Sequence, residues 1–125
     1  MAATVNKQFT RVDYSQLVDS LTTTAAVSDA FGAGGKLYFR YVSSSGSASA
    51  GSFDYLKLFD TKEQVTVGTT LPDFILPINY GATEIFHFPD GVTFTNGLGY
   101  NASNGPGTAA GSSPARTITL QMVFK

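Results

Sequence analysis

The 125-residue chain contains no cysteine. That excludes disulfides and thiolate metal ligands, and leaves the redox compartment uninferred. Charge is sparse as well: Asp, Glu, Lys and Arg make up 14% of the residues and the net charge is −1. So weak a field gives nucleic acid or anionic lipid nothing to hold. No stretch approaches the ~20 apolar residues of a membrane-spanning helix. The opening segment MAATVNKQFTRVDYSQL lacks the apolar run of a secretory signal. The expectation is a soluble product made in a cytoplasm, with little charge repulsion to oppose self-association.

What the chain does have is 13 glycines, ten Phe, six Tyr and abundant Ser and Thr. That is the profile of an all-β domain, and the length fits one domain that builds a core without staples. Residues 1–16 read as an N-terminal arm or edge strand, and 17–125 as a single β-sandwich domain. Helix spacing is tempting only at Tyr14, Leu17, Val18 and Leu21, with Ser15 as N-cap. A strand is expected over Thr22–Val27. In KLYFRYV (Lys36–Val42) alternation places Leu37, Phe39 and Tyr41 on one face and Lys36, Tyr38 and Arg40 on the other. Ser43–Ser52 reads as a Ser/Gly/Ala connection. Leu56 and Leu58 point inward from Phe53–Phe59, with Tyr55, Lys57 and Phe59 opposite.

A short β segment is expected at Val65–Val67. Phe74–Tyr80 is a strand whose Pro77 lacks a ladder donor and therefore favours an edge or a bulge. Thr83–Phe88 follows, then a turn at Pro89–Gly91. Short strands at Val92–Phe94 and Leu98–Tyr100 flank an Asn96–Gly97 turn. Asn101–Arg116 is a second low-complexity connection. Thr117–Phe124 alternates throughout, with Ile118, Leu120, Met122 and Phe124 facing the core, and is expected mid-sheet. About eight short strands with long cross-connections point to a jelly-roll-like antiparallel sandwich with at most one short helix.

Chemistry is thin. The one histidine, His87, has no nucleophile on a sharp turn to serve, and reads as structural or exposed. The nine Asp and Glu are dispersed, with no calcium-loop spacing. A glycosidase-type pair assembled from distant strands stays open. Gly97–Leu98–Gly99 opens like a dinucleotide fingerprint but leads into a loop instead of a helix. No catalytic, cofactor-binding or metal-binding residue is assigned, and no cofactor is expected. Tyr38, Tyr55, Phe59 and Phe86 fill either two aromatic-rich inner faces or a subunit interface.

Several stretches in sequence order resemble a family of small virion structural proteins from tailed bacteriophages. Leu56–Asp60 matches its [YV]-[LV]-K-L-[YF]-[DN] strand. Thr66–Thr69 with Pro72 matches T-V-G-T-x-x-P, and Ile75–Pro77 the apolar strand ending in I-P. Phe88–Tyr100 matches F-x-x-G-[LIV]-x-F-x-x-G-L-[GA]-[YI], and Gly34–Val42 looks like its G-x-[LV]-[YF] strand. The similarity covers Gly34–Tyr100. It departs after Tyr100, where the family's Asp/Thr-rich turn is replaced by NASNGPGTAAGSSPAR.

The resemblance implies a non-enzymatic capsid decoration (cement) protein on the virion surface. Its implied partners are the major capsid protein and further copies of itself, with a homotrimer favoured, and neither nucleic acid nor membrane. Interface residues expected on that reading are Phe9, Val12 and Tyr14 in the arm, Tyr38 and Tyr55 on strand faces, and Asn101 and Asn104 in the last connection. The alternative is a tail, baseplate or fibre module for attachment or carbohydrate binding. A small glycan hydrolase is a third possibility.

Overall fold

The computed structural model describes residues 15–28, 30–32, 34–108 and 112–125. Seven strands form: β1 (Ser15–Leu21), β2 (Gly35–Ser44), β3 (Ser49–Phe59), β4 (Phe74–Tyr80), β5 (Thr83–Phe94), β6 (Gly99–Ser103) and β7 (Ile118–Phe124). They make two antiparallel sheets, one ordered β1-β7-β2-β5 and the other β4-β3-β6. Val27 bridges to Tyr100 beside β6 and stands where a fourth strand of the second sheet would lie. With that bridge counted, the chain crosses between the layers at every connection except the β3–β4 hairpin, as a jelly roll does.

The strongest sequence pattern gives the central strand. Ile118, Leu120, Met122 and Phe124 of β7 are all buried, and β7 lies between β1 and β2. Facing them from the other sheet are Leu56, Leu58, Ile78 and Tyr100, so the core is the interleaf between the layers. An aromatic row crosses one end of it. Phe31 stacks on Phe124 at 4.5 Å, Phe124 lies 6.3 Å from Phe94, and Phe94 lies 5.9 Å from Phe74. From the Phe88–Tyr100 segment, Phe94, Leu98 and Tyr100 are buried and fill the core. β4 is an edge strand, which accommodates Pro77.

Four expectations are corrected. The helix spacing at Tyr14–Leu21 gives way to β1, which starts at Ser15 and pairs with β7 over its whole length. Leu17 and Leu21 face the core with Asp19 between them, and it is this polar inward residue that hides the period of two. The Thr22–Val27 strand contracts to the single Val27 bridge. Val65–Val67 forms no strand: the segment turns, with Thr69 N–H donating to Thr66 O at 3.0 Å, while Val65 is buried.

The fourth correction matters most. Pro89–Gly91 is no turn between strands, because β5 runs through it. Phe39 pairs with His87 and Leu37 with Val92, so residues 88–91 bulge opposite Tyr38 alone. Gly91 takes φ +76° there, and a Cβ would lie 2.9 Å from Lys36 Cβ. β2 also carries Tyr38 as an extra residue against the regular β7, where Leu37 pairs with Phe124 and Phe39 with Val123, and this flips the second half of β2. Phe39 and Tyr41 turn outward, and Arg40 and Val42 turn into the interleaf.

Candidate interaction surfaces

The two flanks of the sandwich differ. On the β1 and β6 side, residues 22–28, 30 and 31 cover the gap. Val27 and Tyr100 exchange backbone hydrogen bonds at 2.9 Å, and Ala30 N–H donates to Leu98 O at 2.7 Å. Tyr100 spans the layers, donating its phenol to Asp19 Oδ2 at 2.6 Å. Burial first, and then the Asp19 hydrogen bond and charge, push the Tyr100 phenol well above its ordinary pKa. This flank is closed.

Buried polar groups tie the connections down. Asp54 accepts Ala115 N–H at 2.8 Å on one carboxylate oxygen and Arg116 N–H at 2.9 Å on the other, fixing the approach to β7. Lys57 is buried and donates Nζ–H to Gly107 O at 2.5 Å. Desolvation holds its ammonium below the ordinary lysine range. Asn101 is buried too and donates Nδ2–H to Thr24 O at 3.2 Å. These polar side chains hold loops in place.

The β4 and β5 flank is open. Phe74 and Ile75 on β4 are 42% and 39% exposed, and Ile85 and Phe86 on β5 are 63% and 39% exposed. Between these edge strands lies a cleft of about 190 Å³ with Phe74, Leu76, Phe86, Phe88 and Val92 on its walls. Arg40 lines it from β2 and is only 2% exposed. Its guanidinium lies 4.1 Å from the centroid of the Phe86 ring, a cation–π stack. Its Nε and Nη1 have no hydrogen-bond partner. Burial pushes its pKa down to about 10, with the charge of Glu84 partly opposing.

A second surface lies on the outer face of the β1-β7-β2-β5 sheet. There Val18, Asp19, Tyr41, Ser43 and Gln121 line a broad open depression of about 560 Å³. It is polar and aromatic together.

The expected interface residues scatter. Phe9, Val12 and Tyr14 lie outside the described residues. Tyr38 is half-buried opposite the β5 bulge, beside Gly91. Tyr55 is half-buried in mid-sheet, between Pro77 of β4 and Ser103 of β6. Asn101 lies in β6 and not in the connection, on the face opposite the core residues Tyr100 and Ala102, where its amide is tied to Thr24. Asn104 is exposed and accepts Ser112 N–H at 3.2 Å, closing its own loop. Of the weighed aromatics, Phe59 is core and Phe86 lies on the open flank. His87 is exposed on β5. Sequence reasoning missed Arg40 and the cleft. Pro89 and Gly91 inside an otherwise strand-like run signal the irregularity in β5, but nothing in KLYFRYV signals the extra residue at Tyr38 that turns Arg40 inward.

Among the described residues, no three His, Asp or Glu side chains converge as a metal-binding group. No family model, curated protein or solved structure matches the chain.

Proposed function

We propose that this chain is a virion structural protein of a tailed bacteriophage, a capsid decoration protein that adheres to the outer shell and links neighbouring capsid subunits. The observation that carries the reading is the open flank. Phe74, Ile75, Ile85 and Phe86 present apolar surface on two edge strands, a feature typical of protein-binding surfaces. Edge strands also offer unpaired backbone groups to an added strand. The jelly-roll wiring is compatible with the role, since viral capsid and lectin domains use it, although fold alone does not fix function. The family resemblance over Gly34–Tyr100 supplies the phage context.

Adhesion on this reading works by area and repetition. A standard interface buries ~1,600 Å² in total, a large demand on a 13.2 kDa module. Residues 1–14 laid across a neighbouring subunit would add area. Assembly as a trimer on a capsid symmetry axis would add avidity. The test is binding of the purified protein to undecorated capsids. Saturable occupancy on the shell supports the reading, and none at micromolar protein defeats it. Deleting Met1–Tyr14 tests the arm: unaltered occupancy removes it from the mechanism.

A second reading is favoured by the outer-face depression. Tyr41 flanked by Ser43 and Gln121 combines an aromatic face with polar groups, as carbohydrate sites require. On that reading the chain is an attachment module of the tail or baseplate. Glycan-array binding that is lost in Tyr41→Ala would favour it over the capsid reading.

A further inference from the structure

The cleft beside Arg40 is built unlike the rest of the core. Its walls are aromatic and aliphatic, and its one charged lining residue is a guanidinium almost removed from water. Burying a cation without pairing it is costly. The Phe86 ring offsets only part of that, and the two nitrogens Nε and Nη1 remain unbonded. Glu84 lies two positions from Phe86 on the same strand and acts on Arg40 through its charge, yet neither of those nitrogens hydrogen-bonds to it. A guanidinium grips a carboxylate with two parallel hydrogen bonds through Nε with Nη2 or through Nη1 with Nη2, and each of these two edges contains one of the unbonded nitrogens.

We infer that the cleft between β4 and β5 is a socket for an acidic side chain of a neighbouring protein chain, inserted beside an apolar residue and gripped by Arg40. The inference rests on the reading of this flank as the adhesive one, and names the chemistry that the partner brings to it. Charge complementarity selects a carboxylate over a neutral or basic group. The size is suitable for one ring or branched side chain beside it, since an apolar cavity of ~150 Å³ holds benzene. The free edges of β4 and β5 accept the backbone that carries the acidic residue. Phe74 and Phe86, both partly exposed at present, would be covered.

Two measurements test this together. In the first, purified protein is titrated with 3-phenylpropionate and, separately, with neutral 3-phenylpropionamide, following backbone amide resonances by NMR. The acid is expected to shift Phe86, Phe88 and Val92 saturably and to bind roughly tenfold or more tighter than the amide. Arg40→Met is expected to abolish that difference, and Glu84→Gln to tighten the acid by removing a competing charge. Equal affinity for acid and amide, or shifts confined to other residues, overturns the inference.

In the second, wild-type protein and Arg40→Met are compared for occupancy on undecorated capsids. Arg40→Met is expected to require roughly tenfold more protein for half-occupancy. If wild type binds and Arg40→Met binds equally, the carboxylate socket is refuted while the adhesive reading stands. If wild type does not bind, the adhesive reading fails, and the partner assignment fails with it. Circular dichroism and melting of Arg40→Met exclude loss of fold as the cause.

Discussion

Tyr100 and Asp19 clasp the two sheets of the sandwich, the phenol of β6 donating to the carboxylate of β1 at 2.6 Å. The pair lies at the closed flank, beside the Val27 bridge. It explains how a polar residue comes to occupy an inward position of an edge strand. A hydrogen bond to a charged acceptor contributes about 1.5–3 kcal/mol. Tyr100→Phe is therefore expected to destabilise the fold by about 2 kcal/mol in urea denaturation, with an unchanged m-value.

The same pair sets an alkaline limit. Burial and Asp19 raise the folded-state pKa of Tyr100 above its ordinary 10.0. Above that pH the unfolded phenol ionises while the folded one keeps its proton. The stability is fully present below pH ~10 and falls by about 1.4 kcal/mol per pH unit above it. Tyr100→Phe is expected to flatten this alkaline limb in melts recorded between pH 9 and 11. An identical slope in the variant would exclude Tyr100 as its source.

Asp54 holds two backbone amides of the segment leading into β7. Asp54→Ala leaves both amides without this acceptor and is expected to cost about 2–4 kcal/mol. Asp54→Asn retains one acceptor and is expected to lose about half as much. Hydrogen exchange at Ala115 and Arg116 checks the mechanism, since both amides lose protection if the carboxylate is what shields them.

Arg40 runs the other way. Its guanidinium is buried with two unbonded nitrogens, so replacing it with an apolar residue of similar length removes an uncompensated desolvation. Arg40→Met is expected to stabilise the isolated protein by about 1–2 kcal/mol, net of the lost stack on Phe86. A destabilisation of that size would mean that Arg40 is well compensated in the free protein.

Legibility in the sequence followed the strength of alternation. β7 could be read outright because Ile118, Leu120, Met122 and Phe124 recur at every second position, between Thr119, Gln121 and Val123, and no bulge intervenes in β7. Leu56 and Leu58 were legible for the same reason, and Pro77 placed β4 at an edge. β1 was misread because Asp19 sits inward, where only its partner Tyr100, distant in sequence, makes sense of it. β2 was misread beyond Leu37 because Tyr38 is an extra residue against β7, and a one-residue slip reverses every side chain. The cleft was illegible on that account: Arg40 belonged to the outer face until that extra residue placed it inside. Asn101 looked like loop surface because nothing local indicates that its amide supports Thr24.

The open flank is where adhesion is expected, and its apolar side chains can be changed without touching the core. Ile85→Ser is expected to leave the melting temperature within a few degrees, being a surface substitution. It is also expected to weaken capsid occupancy or self-association, measured by capsid pelleting and sedimentation velocity. No change in either would remove Ile85 from the interface.

The most direct measurement is immunogold labelling of intact particles with antibody to this protein, viewed by negative stain. Gold distributed over the head, in regular multiples per particle, is the expected result for a capsid decoration protein. Gold confined to the tail tip or fibres, or particles that carry none, would contradict it.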